Sequence, residues 1–168
     1  PATGWSAPTL DSDGTFRELG PLPAVTYPPD NPYSKAKASL GKRLFFDPVV
    51  SGSNQIACAT CHDPELGWGD GRRTSFGHNR QLGTRNAPTL LNAGHWDLFF
   101  WDGRAATLEA QVLFPIQDPI EMNQDLESLP AELSSDSTYR QSFQEAFGSP
   151  EVTMERIAQA LATFERGI

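Results

Sequence analysis

The chain has 168 residues, with 13 Lys and Arg against 21 Asp and Glu and a formal net charge of −8. That length suffices for one domain with a sizeable core and leaves no room for a second large one, while the acidity makes nucleic acid and anionic membrane surfaces poor partners and suits a partner with a complementary basic patch. No run of roughly 18 apolar residues is present to span a membrane, and Gly and Pro, at 14 each, argue for long ordered loops between short helices.

Residues 1–32 are rich in Pro, Gly, Ser and Asp without periodicity, and read as an extended arm lying over a partner surface or as a disordered tail. No secretory leader is recognisable at Pro1, so the chain is read as a mature one. From residue 33 onward the pattern is helical. Ser34 can cap a helix in which Ala36, Leu40 and Leu44 recur every four positions, with Lys35, Lys37, Lys42 and Arg43 toward solvent and Asp47-Pro48 at its end. Ser51-Gly52-Ser53-Asn54 then forms a turn that delivers the chain to Cys58-Ala59-Thr60-Cys61-His62.

Two cysteines separated by two residues and followed directly by histidine form the attachment signature of a c-type haem. Both thiols become thioethers to the vinyl groups, and the imidazole of His62 becomes an axial ligand of the iron. A zinc half-site would need a second Cys or His pair, and these are the only 2 cysteines of the chain. A thioredoxin-like pair would sit in alternating strands and helices, a pattern absent here. With both thiols used by the cofactor, they say nothing about disulfides. One covalent haem c held by Cys58 and Cys61 is therefore expected. Because such haem is attached on the outer side of the bacterial inner membrane, so is a periplasmic location.

The long loop Asp63 to Arg85, dense in Gly and Arg, holds His78; a loop of this length inside a compact domain is usually functional. Pro88 fits the first turn of a short helix through Leu91. Phe99, Phe100 and Trp101 precede a turn at Asp102-Gly103 and, taken alone, read as core. Thr107 caps a helix from Leu108 to Phe114 that Pro115 stops. Tyr139, Phe143 and Phe147 form a stripe closed by Gly148, and Thr153 starts a last helix with Ile157, Leu161 and Phe164 inward. The fold class is all-α. Candidates for the sixth iron position are His78, His95, Met122 and Met154. Met154 reads as core and His95 beside Trp96 as a structural histidine, which leaves His78, in its Gly-flanked loop, as the better distal candidate.

Several segments together carry a resemblance. They are Leu40 to Pro48, the haem motif, Gly77-His78, Arg85-Asn86-Ala87-Pro88-Thr89, Phe100-Trp101-Asp102-Gly103-Arg104-Ala105, Leu108-Glu109-Ala110-Gln111 and Glu121-Met122. In order and spacing they resemble the N-terminal haem domain of bacterial di-haem cytochrome c peroxidases, a family that includes the MauG-type enzymes. The resemblance covers residues 32–168 and implies a cytochrome c-like haem domain, all-α with long loops and an extended N-terminal arm. It implies that His62 is the proximal ligand of the peroxidatic haem and His78 a distal ligand that leaves on activation. Glu121 matches the distal acid/base carboxylate, Gln111 the amide beside it, Trp101 the aromatic between two haems, and Asn86 a calcium ligand at the domain interface.

The implied chemistry is sound on its own terms. Peroxide cleavage needs a proton taken from one oxygen and returned to the other, which one carboxylate can shuttle, and a carboxamide can hold the peroxide while staying neutral. Glu121 and Gln111 alone, however, would read as surface polar residues. The expected partners are hydrogen peroxide, a small donor cytochrome or cupredoxin, and the second-haem domain or chain, with a homo-oligomer left open. Family chains carry a second haem motif, whereas no cysteine follows Cys61 here; an N-terminal fragment, or a subunit whose second haem lies on another chain, is expected. Two alternatives remain at this point: a mono-haem electron-transfer cytochrome, and a MauG-type oxidase of a protein or organic substrate.

Overall fold

The computed structural model describes residues 12–14 and 22–168. Among these the chain forms seven α-helices: α1 (Lys35–Phe46), α2 (Cys58–Cys61), α3 (Leu108–Gln111), α4 (Leu113–Gln117), α5 (Leu129–Ser135), α6 (Ser137–Phe147) and α7 (Met154–Glu165). The only strand-like pairings among the described residues are isolated bridges that pin loops, at Asp63 with Gly69, Phe76 with Leu82 and Phe99 with Ala105. The expected all-α class holds. Most of the arm, residues 1–11 and 15–21, lies outside the described residues.

Helix α1 starts where its sequence says it should, with the Ser34 hydroxyl accepting from the Lys37 amide, which satisfies one of the orphan donors of a first turn. Its apolar stripe packs on α7. The two helices meet at Gly41, where a Cβ would lie 1.9 Å from the Ala160 carbonyl oxygen, so only glycine permits this approach. Around the crossing Leu40, Leu44, Phe45, Ile157 and Leu161 are fully buried. α6 covers the other side of α1 through Tyr139 and Phe143 and ends at Gly148, whose φ of 73° is the left-handed conformation glycine adopts without strain.

Four local expectations need correction. Lys37 is buried, not solvated: its ammonium donates to Asn31 Oδ1 and to the Pro32 carbonyl, each at 2.8 Å, and these acceptors replace the water it loses. No helix forms at Pro88 to Leu91. The Leu91 amide is taken by the Thr89 hydroxyl, which itself donates to the Gly67 carbonyl at 2.6 Å, and a single turn follows later at Ala93–His95. Pro115 does not stop a helix. A break at Val112 puts it in the first turn of α4, where a residue without an N–H leaves no helical hydrogen bond unmade. Lastly, Phe99 is buried but Phe100 is half-buried and Trp101 is 64% exposed, so only the first of the three aromatics is core.

The last residues of the arm lie on the chain's own helices. Asn31 donates to Glu109 Oε1 of α3 at 2.7 Å and to the Gln159 carbonyl of α7 at 3.0 Å, while Arg166 clasps Glu109 with both guanidinium nitrogens. Burial alone would raise Glu109, but the bonds from Arg166 and Asn31 outweigh it and hold its carboxyl below the usual range.

Replacing Gly41 with alanine should destabilise the folded protein by about 3 kcal/mol, the upper part of the range for overpacking a core. Gly148→Ala, at a position open to solvent, should cost only about 1 kcal/mol through its left-handed backbone. Denaturant unfolding of the haem-loaded variants checks both, and equal losses would contradict the assigned role of the crossing.

Candidate functional site

The Cys58 to His62 segment is a single helical turn. The Thr60 hydroxyl accepts from the Ala57 amide at 3.0 Å and the His62 amide donates to the Cys58 carbonyl at 3.0 Å, which brings both sulfurs and the imidazole to one wall. Immediately after it, Gly67 and Trp68 adopt φ of 68° and 61°. A tryptophan in the left-handed region is unusual. Its backbone is held by a bond from the Trp68 amide to the Asp63 carbonyl at 2.8 Å, and the bend places the Trp68 carbonyl 3.0 Å from His62 Nδ1. That carbonyl can only accept, so Nδ1 carries the proton and Nε2 is left as a ligand. Burial lowers the His62 pKa, with the bond to Trp68 opposing it, and the neutral imidazole is the form that binds a metal.

Cys58, Cys61 and His62 line a cavity of about 420 Å³, within the size range of cofactor sites. Ile56, Leu90, Phe99, Leu108 and Val112 make much of its apolar wall. Burial pushes both thiols up from their ordinary pKa, so neither is poised as a nucleophile. Two thiols and a neutral imidazole converging on an apolar slot fit a covalently attached haem. They do not suit zinc: no group of three or more His, Cys, Asp and Glu that could hold a metal occurs among the described residues.

The other expected site residues fall into two groups. Gln111, Glu121, Trp101 and Asn86 line the same cavity, although they come from α3, from the turn after α4 and from the loops between. Glu121 faces open space there, but the surrounding walls desolvate it enough to raise its pKa. The charge of Asp118 adds to the rise and Arg104 opposes it. Trp101 donates from its indole to the Asn86 carbonyl at 2.9 Å, and the Asn86 amide donates to the Arg72 carbonyl. His78 is not on the wall. Its Nε2 lies 3.3 Å from Asn123 Nδ2, and its Nδ1 is buried without a partner. Of the remaining candidates for the sixth position, Met122 lines the cavity while also 96% buried in the core, His95 sits in the turn after Asn92, and Met154 packs partly buried against the core.

Two wall residues escaped the sequence reading. Arg104 stacks over Phe100, its guanidinium carbon 3.4 Å from the ring centroid, and pairs with Asp102 at 2.9 Å. Glu165, the last residue of α7, is 4% exposed and still lines the cavity. A signal for it existed, since Ile157, Leu161 and Glu165 stand at helical intervals of four and a carboxylate on an apolar stripe is rarely left buried.

Comparisons with known proteins agree with this geometry. A family model described as di-haem cytochrome c peroxidase matches residues 35–168. Methylamine utilization protein MauG of Methylophilus methylotrophus is 43% identical over 164 residues, 98% of this chain and 48% of that protein. Cytochrome c551 peroxidase of Nitrosomonas europaea is 44% identical over 147 residues, 88% of this chain and 42% of that protein. Among solved structures, a MauG-like protein associated with microbial copper homeostasis superposes with a TM-score of 0.82 at 34% identity, over 90% of this chain and 46% of its own. The chain thus spans about half the length of the curated relatives it matches.

Replacing both Cys58 and Cys61 with alanine should abolish haem that survives denaturation. Intact mass under denaturing conditions should show the wild-type chain plus one haem and the variant chain bare; a bare wild-type chain would refute covalent attachment.

Proposed function

Because the chain belongs to the di-haem cytochrome c peroxidase family, we propose that it is the haem-binding half at which hydrogen peroxide, two electrons and two protons become two waters. One observation carries the reading: Glu121 and Gln111, unremarkable alone, line the same cavity as Cys58, Cys61 and His62. The haem, when bound through the two thiols and His62, supplies the redox-active iron. The remaining tasks fall to the chain. His62 is oriented by the Trp68 carbonyl. Glu121, its pKa raised by burial and by Asp118, is shifted toward its protonated form and can pass a proton between peroxide oxygens. Gln111 offers a neutral donor and acceptor that position the peroxide without adding charge.

The same reading makes Trp101, exposed at the rim, the route by which electrons arrive from a second-haem domain or chain fed by a small donor cytochrome or cupredoxin. His78 becomes a displaceable ligand, turned in this conformation toward Asn123. The Asn86 side chain becomes one calcium ligand at the domain interface, and the location becomes the periplasm. No helix among the described residues is long and apolar enough to cross a membrane. Met122 on the cavity wall favours a second reading, a methionine-ligated electron carrier with no catalysis. The MauG relatives favour a third, an oxidase of a protein or organic substrate.

Glu121→Gln in haem-loaded protein should lower peroxide turnover by about 10²- to 10⁴-fold, the usual contribution of a general acid/base, with an unaltered absorption spectrum. Unchanged turnover would sink the catalytic assignment. His78→Gly should leave the ferric haem high-spin; a spectrum that stays low-spin would make Met122 or another residue the sixth ligand.

A further inference from the structure

Glu165 is the one carboxyl of the haem cavity that the peroxidase reading leaves without a task. It ends α7, is 4% exposed and lines the cavity, and its Oε2 has no hydrogen-bond partner among the described residues. The charged groups that bear on it are few. Arg166 follows it in the chain, but that guanidinium is clasped by Glu109 from α3, so the nearest cation is neutralised by another acid. From α2 the group that feels its charge is Cys58, which no longer titrates once it is a thioether. A buried carboxylate with no cation of its own is costly and takes a proton instead. Burial, with Glu109 adding and Arg166 opposing, pushes Glu165 up to about 8.

We propose that Glu165 is the proton partner of haem reduction in this cavity, taking up a solvent proton when the iron accepts an electron and releasing it on reoxidation. The inference rests on the haem reading above. The balance is one electron from a one-electron donor, Fe(III) to Fe(II), and one proton from water onto a Glu165 carboxylate oxygen. The sign follows from charge. The ferric centre carries one more positive charge and favours the carboxylate, so the pKa of Glu165 is lower in the oxidised protein than in the reduced one. Between those two values reduction takes up a proton, and the midpoint potential falls as pH rises.

Spectroelectrochemical titration of haem-loaded protein across that pH range tests this. In the wild type and in Glu121→Gln the reduction equilibrium should change tenfold per pH unit, about 59 mV for one electron, within the window. Glu165→Gln should flatten the slope while leaving the absorption maxima in place. An undiminished slope in Glu165→Gln overturns the proposal. A second readout covers the case in which that variant does not fold: in the Glu121→Gln background, infrared difference spectra should gain a protonated-carboxyl band on reduction, and its absence likewise overturns the proposal. Neither readout involves peroxide, so lost turnover with the slope intact removes only the peroxidase reading, whereas protein that carries no haem removes both.

Discussion

The contact on which the rest depends is the meeting of α1 and α7 at Gly41. With a Cβ position 1.9 Å from the Ala160 carbonyl, the helices touch backbone to backbone, and that distance sets where their larger side chains go. Phe45 from α1 and Phe164 from α7 meet with ring centroids 5.2 Å apart, and both contact Trp68. Trp68 is the residue whose carbonyl orients His62. A glycine 17 residues before Cys58 thus bears on the attitude of the imidazole. The polar knot of Asn31, Glu109 and Arg166 does similar work at the C-terminal end of α7, tying it to α3, which brings Gln111 to the cavity.

Electrostatically the cavity favours the neutral form of two of its acids. Glu121 and Glu165 are both raised, chiefly by desolvation, and the cations nearby are already engaged: Arg104 and Arg85 with Asp102, Arg166 with Glu109. The pairs at Asp102 are solvent-exposed and worth little in stability. Their effect is to offset part of the guanidinium charge at the rim, of which Arg104 still acts on Glu121. A free arginine beside either glutamate would favour its ionised form.

Much of this was legible in the sequence because it is written in local chemistry. The Ser34 and Thr153 caps, the Gly148 stop and the stripe from Tyr139 to Phe147 each depend on a few adjacent residues, and each stands as read. What failed depends on contacts across the chain. Lys37 looks solvated until Asn31 and Pro32 are brought to it, Pro88 looks like a helix start until Thr89 is tied to Gly67, and Trp101 looks like core until Phe99 alone is seen to fill the available space. Gln111 and Glu121 were legible only through resemblance, since nothing in their surroundings along the chain says that two turns from different segments share one wall. Glu165 was legible in principle, as an acid on an apolar stripe.

One detail of the His78 loop bears on how the site could change state. The His78 amide donates to both the Ile120 carbonyl at 2.9 Å and the Glu121 carbonyl at 2.7 Å, and Gly77 sits so close that a Cβ there would lie 2.0 Å from the Ile120 oxygen. The backbone that carries the histidine is therefore hooked to the backbone that carries the acid. Any excursion of one loop must unhook the other or drag it along, so the placements of His78 and of the Glu121 carboxyl are linked by a shared free energy. The two positions form a single mechanical latch, and a substitution that loosens Gly77 would be felt at Glu121 without touching it.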